Sequence, residues 1–359
     1  IHNRYDFLPL EGFEVAWQLK EDGRAILDGR IENPATGPGE SASYFLWERM
    51  PKRVPGKEYF LDVELRSPGA RDVLPAGHVY ATAQFAVPAP LATEAREKQK
   101  KVKVKIRDGA DSLALEGKGF AYRFDKATGL LNSIEIEGRE LMLKPLEPNF
   151  WRAPTDNDFG NYMQDWAAVW EQAGANRSLD AFDYEQHENG AVEIIADYVF
   201  ADDDGRRLGR WQARYSMRET GELHVMNHFE RADGLPVMPR VGMNMELRDS
   251  LDTVTWYGRG PHENYRDRKL SAHVGVHTRP VADLYVPYMR PQENGYRTDV
   301  RELALYSQQR DSSGLSITAD STIGFSAHNN RMVDFIPPVK IAITSEDGPG
   351  ARENTERVN

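Results

Sequence analysis

Cysteine is absent from all 359 residues, which removes disulfides, thiol nucleophiles and thiolate metal sites together. Long apolar runs are absent too: none approaches the roughly 20 residues that span a bilayer as a helix, and no signal-like stretch follows Ile1. Positive charge is in deficit, with 45 Lys and Arg against 56 Asp and Glu for a formal charge of −11, whereas a nucleic-acid binder needs a concentrated basic face. Neither a membrane nor nucleic acid is therefore expected as a partner. Alternating strand–helix units are also missing, so a (β/α)8 barrel, which needs roughly 250 residues of them, is not expected here. "GRG" (258–260) lacks the helix that a phosphate-cradling loop requires after it.

What is present is period-2 alternation. Phe13, Val15, Trp17 and Leu19 form one strand, Tyr59, Leu61, Val63 and Leu65 another, and Val79 to Val87 a third, separated by Pro/Gly-rich turns at 33–39 and 51–56. The length exceeds what one hydrophobic core usually supports, so two domains are expected. Residues 1–88 read as a small immunoglobulin-like β-sandwich and 89–102 as a Pro/Ala-rich, then charged, linker. The basic stretch Arg96 to Lys105 runs into Val102/Val104/Ile106 alternation, a linker entering a strand with Lys on its wet face. Residues 103–359 continue as a larger antiparallel domain, with strands at Phe120/Tyr122/Phe124, Val192 to Phe200, Trp211/Ala213/Tyr215, Leu223/Val225 and Val241/Met243/Met245/Leu247. Tyr162, Trp166, Val169 and Trp170 recur at helical spacing before Gly174 and predict one helix with these aromatics facing the core. The start at Ile1, and a tail (345–359) that turns polar after Val339/Ile341/Ile343, suggest a piece of a larger protein whose last domain is incomplete.

Three polar clusters stand out: "NFWRAPTDNDFGN" (149–161), "WYGRGPHENYRDR" (256–268) and "YMRPQENGYRTDVRE" (288–302). The second and third share Pro-x-Glu-Asn, at 261–264 and 291–294, where proline fixes φ and the Glu and Asn side chains can bond backbone amides or an arginine. A calcium loop starting at Asp156 fails, because Asn161 and Ala167 stand where the turn glycine and bidentate glutamate belong. A looser oxygen site through Asp156 and Asp158 competes with charge pairing to Arg152. Glycoside hydrolysis needs two carboxyl groups, one protonated and one ionised. Asp156, Asp158, Glu263, Asp267, Glu293, Asp299 and Glu302 are candidates, but each has arginine near in sequence, which holds acids ionised and paired. His262 beside Glu263 raises an epimerase-like alternative of proton exchange with a sugar. Arg, Asn, Asp and aromatic side chains also suit sugar hydroxyls and C–H faces, and the same groups serve equally to brace loops or dock a domain.

"RAPTDND" (152–158), "YGRGPHENYRDR" (257–268) and "YVPYMRPQENGYRTDVREL" (285–303), in this order, resemble the C-terminal part of bacterial β-galactosidases of glycoside hydrolase family 2, and "FAYRFDKATGLLNSIEIEGRELM" (120–142) is similar to the opening of the same region. The resemblance implies an all-β fragment: an immunoglobulin-like domain followed by a galactose-mutarotase-like super-sandwich. It implies retaining hydrolysis of terminal β-D-galactosides by the whole enzyme, through two glutamates on a barrel that precedes these domains. It further implies a pocket tryptophan from a Gly-Asp-Asp-Ser-Trp-like segment near the end. No such segment follows Phe335, so neither the glutamates nor that tryptophan has a counterpart here, and no catalytic residue is assigned. Arg152, Asp156, Asp158, Arg259, His262, Glu263, Asn264, Arg290, Glu293 and Asn294 are the expected pocket-rim or carbohydrate-binding residues. The fragment is expected to be inactive alone and to need no cofactor, although the intact enzyme could use a divalent cation such as Mg. Its expected partners are its own catalytic barrel, a galactoside and, when intact, further copies of itself. A stand-alone carbohydrate-binding module and a structural assembly domain are the alternatives. Cytoplasm and periplasm both remain open.

Overall fold

The computed structural model describes residues 1–335 except 49–50, 71–72, 91–102, 189, 218–220 and 309–313. The expected linker, apart from its first two residues, and the alternation at 339–343 lie outside the described residues.

Residues 1–88 build one four-stranded antiparallel sheet in the order β2-β1-β3-β4, from β1 (Glu14–Glu21), β2 (Arg24–Glu32), β3 (Tyr59–Arg66) and β4 (Val79–Val87). Val15, Trp17 and Leu19 alternate inward and are buried, as their period dictates. The second layer consists of irregular segments, not strands: Leu10 and Phe13 are buried, Trp47 meets Trp17 edge-on, and an isolated bridge joins His2 to Ser41. β2 escapes the alternation rule at Gly29. A side chain there would meet the Trp17 indole at 2.5 Å, so the position is kept empty for the ring.

Three further sheets follow. The first is seven-stranded, from β5 (Lys105–Asp108), β6 (Ser112–Gly117), β7 (Phe120–Asp125), β8 (Leu131–Ile136), β9 (Arg139–Glu140), β10 (Met142–Asn149) and the later β15 (Gly242–Leu247), in the order β15-β10-β8-β7-β6-β5 with β9 on β8. The second runs β11 (Arg177–Gln186), β12 (Val192–Ala201), β13 (Arg207–Met217) and β14 (Leu223–Arg231) as a meander. The third contains β16 (Thr253–Gly260), β17 (His273–Pro280), β18 (Arg297–Tyr306) and β19 (Gly314–Phe325), in the order β17-β16-β18-β19. One apolar core unites them. Phe124 meets Tyr215 at 4.9 Å across the first two sheets, Phe150 packs against Phe200, Trp211 and Phe229, and Trp256, Val300 and Leu303 enter from the third. The chain is all-β, as expected.

The expected helix is broken. Short turns α1 (Asp156–Gly160) and α2 (Met163–Trp166) and a 3-10 turn, Ala168–Trp170, replace it. Trp170 is buried, but Tyr162 and Trp166 are exposed, contrary to the core-facing expectation. The cause is local: Tyr162 takes a left-handed φ of 61°, which ends the helical path and turns its own ring outward. Two of the polar clusters are partly strand. Residues 256–260 belong to β16 with Trp256 buried in the core, and 297–302 belong to β18.

Residues 1–88 dock on the third sheet. Glu58 accepts from Arg301 twice (2.7 and 2.8 Å) and from the Tyr257 hydroxyl (2.7 Å). The Gln84 amide bonds both the N–H (2.7 Å) and the carbonyl (2.9 Å) of Val274 on edge strand β17, taking the place of a neighbouring peptide. Asp62 binds Lys20 at 2.5 Å and lies 3.8 Å from His273.

Candidate functional site

The three polar clusters converge at one end of the large domain. Arg152 clamps Asp158 through two contacts, at 2.5 and 3.0 Å, and the same carboxylate accepts from the backbone and hydroxyl of Thr155, closing a capping box on α1. These bonds occupy both oxygens of Asp158. Burial would raise its carboxyl, but the Arg152 and Thr155 hydrogen bonds outweigh it and hold it below the ordinary aspartate value. Asp156 reaches across to the third cluster, with Gln292 at 3.2 and 3.3 Å and Arg290 at 3.5 Å, while Arg290 stacks over Phe159 at 4.1 Å.

The two Pro-x-Glu-Asn copies are built alike. In both, the asparagine is buried and its amide donates to the carbonyl two residues back: Asn264 to His262 (3.0 Å) and Asn294 to Gln292 (3.1 Å). Its oxygen then ties a neighbouring strand or loop, Asn264 accepting from Thr298 N and Oγ1 (3.0 and 2.6 Å) and Asn294 from Val286 N (3.1 Å). Both glutamates are buried as well. Glu263 accepts from Gly295 N (2.8 Å), Arg268 (2.7 Å) and the Tyr288 hydroxyl, which stitches the first copy to the second. Burial alone would raise the Glu263 carboxyl, but these three donors overcome it and keep it below the usual glutamate range. Among the described residues Glu293 has a single charged partner, Arg240.

His262 is exposed and meets Ser271 at 3.1 Å. Partial burial of its ring and the nearby Arg268 and Arg297 charges hold it below the ordinary histidine value. Arg259 pairs with Asp299 at 2.5 Å and braces the carbonyls of Lys269 and Ala272 at 3.2 and 2.8 Å. Lys269 joins the same carboxylate at 3.0 Å. Arg297 is buried and ends on the carbonyls of Pro261, Gly295 and Leu284 with its guanidinium 5.5 Å from the Trp256 ring.

Sequence proximity misidentifies several partners. Asp299 finds Arg259, 40 positions away, and Glu293 finds Arg240, 53 away, in a segment none of the clusters includes. Glu302 and Asp267 have no partner among the described residues, despite arginines beside them. Arg240, Lys269, Tyr288 and Arg297 are the contributors that sequence reading passes over; Arg240 lacked any signal, while Arg297 sits inside the third cluster. No group of three or more potential metal-ligand side chains gathers among the described residues. Outside the braces stand exposed apolar side chains, Met289, Leu270, Tyr162, Tyr285 and Trp166. The arrangement can hold loops rigid and present a face, and its hydrogen bonds keep the Asp158, Glu263 and Asp299 carboxyls below their ordinary values.

The family described as the β-galactosidase small chain matches residues 116–336, and that described as β-galactosidase domain 4 matches residues 1–88. A β-galactosidase of Aeromonas hydrophila is 33% identical over 86% of this chain and 30% of its own length. That of Priestia megaterium is 30% identical over 86% and 29%, and β-galactosidase 2 of Enterobacter cloacae 31% over 86% and 30%. The chain thus spans about 30% of the length of these relatives.

Proposed function

The chain belongs to the β-galactosidase family, and from that premise we propose that it is the non-barrel part of an enzyme that hydrolyses terminal β-D-galactosides with retention. In this reading it supports and shapes the active site and turns over nothing by itself. One observation carries it: the buried acids of the clustered loops are already paired, Asp158 to Arg152, Glu263 to Arg268 and Glu293 to Arg240. Retaining hydrolysis asks for one carboxyl kept protonated by its surroundings, and the donors around Asp158 and Glu263 act in the opposite direction. The glutamate pair, and any Mg ion the enzyme uses, are assigned to the part of the whole protein outside this chain. The exposed Met289, Leu270 and Tyr285 above the braced loops suit contact with that part.

A chromogenic β-galactoside assay on the 359-residue chain and on the full-length protein tests this. Turnover by the full-length protein alone is expected, and turnover by the shorter chain overturns it. A second reading, sugar binding without turnover, draws on the exposed Tyr162 and Trp166 rings near the Asp156–Arg290 contact. Calorimetric titration of galactose and lactose into the same sample separates the two readings.

A further inference from the structure

We propose that Glu58, in the small N-terminal domain, is a positioning residue for the braced loop 261–272 of the large domain. Docking of residues 1–88 and order at the loop end are in this view one linked event. The two places are joined by an unbroken series of charged contacts along β18.

The series starts at the domain junction, where Glu58 grips Arg301 bidentately and also holds the Tyr257 hydroxyl. Arg301 lies over the Phe60 and Tyr257 rings, at 5.9 and 5.5 Å, so its guanidinium is fixed in plane as well as in distance. Its free nitrogen then donates to the backbone carbonyl of Asp299. Asp299 has a φ of 52°, a left-handed conformation that a non-glycine residue holds only when its surroundings insist, and β18 shifts register against β19 around it. That kink points the Asp299 carboxylate to the other side, where Arg259 and Lys269 bind it. Arg259 in turn holds the carbonyls of Lys269 and Ala272, the closing end of the loop. The neighbouring residues of β18 secure its opening end: Thr298 bonds Asn264, and Arg297 bonds the Pro261 carbonyl. Arg297, Thr298 and the Asp299 carboxylate thus hold the loop and Arg301 holds the N-terminal domain, with the strained residue 299 touching both and Val300 buried in the core. Without Glu58, Arg301 has no other carboxylate partner among the described residues and loses the anchor that orients its contact with the Asp299 carbonyl.

This holds whether or not the whole protein is a galactosidase, and its test needs no substrate. Hydrogen–deuterium exchange is followed on the 359-residue chain and three variants. Glu58→Gln keeps the shape and removes the charge, and it should speed exchange of the loop amides of Asn264, Tyr265, Arg268 and Ala272 by roughly tenfold. Asp299→Asn, which tolerates the left-handed backbone, should loosen the same amides while Val274 at the docking edge stays protected. Gln84→Ala cuts the junction at β17 without touching Arg301 and should leave the loop unchanged. The proposal fails if Glu58→Gln leaves the loop amides protected. It fails equally if Gln84→Ala frees them as much as Glu58→Gln does, since docking in general, and not this residue, would then set the loop.

Discussion

Two loops of the same four-residue pattern, 261–264 and 291–294, bury the same glutamate and asparagine but support them differently. Glu263 is shared by three donors, one of them the backbone amide of Gly295 just after the other copy, whereas Glu293 has Arg240 as its one charged partner among the described residues. The arginines differ as well: the Arg268 side chain is 57% exposed and Arg240 21%. An exposed arginine returns to water when its partner is lost, while a covered one is left with an uncompensated charge. The motif therefore specifies how the backbone is tied, and the surroundings decide what each tie contributes.

That difference can be tested by breaking one contact at a time. Glu293→Ala should be the most damaging change, costing about 3–5 kcal/mol because Arg240 is stranded against the Tyr296 ring; urea denaturation midpoints measure it. Glu263→Ala should cost less, about 1–3 kcal/mol, mostly from the Gly295 amide left without an acceptor, since Arg268 can resolvate. If thermal melts reverse this order, the exposure argument is wrong. A smaller effect comes from Asn294→Ala relative to Asn264→Ala. Asn264 accepts two bonds from Thr298 and Asn294 one from Val286, so the difference should be about 1 kcal/mol in favour of the Asn294 variant. Least of all, Arg290→Ala breaks a contact of 3.5 Å between half-exposed groups and should shift stability by under about 0.5 kcal/mol.

Much of this was legible in the sequence. Alternation located three of the four strands of 1–88 and those around Val192, Trp211 and Leu223; in β1, β12 and β13 one face is buried and the period is two. It missed β2, where Gly29 interrupts the pattern to accommodate Trp17, and β18, where the bend at Asp299 places Arg297, Thr298 and Val300 all inside. The helix at 162–170 failed because spacing carries no information on φ, and Tyr162 turns left-handed. The clusters announced that arginine and carboxylate would pair, but not with whom. Glu293 and Arg240 meet across 53 positions, a long-range fact that no local window contains.

The central claim is that the clustered acids are ionised scaffold and not proton donors. It is met most directly by titrating the side-chain carboxyl of Glu263 by carbon-13 NMR in the folded chain, assigned with Glu263→Gln. A folded pKa below the unfolded value means that this carboxylate adds stability above the ordinary glutamate range and loses it as pH falls through the folded value. The account predicts a midpoint below about 4.3, the ordinary glutamate value, and an acid-side loss of stability that Glu263→Gln flattens. A midpoint raised toward 6 or 7 would mark a poised general acid and contradict it.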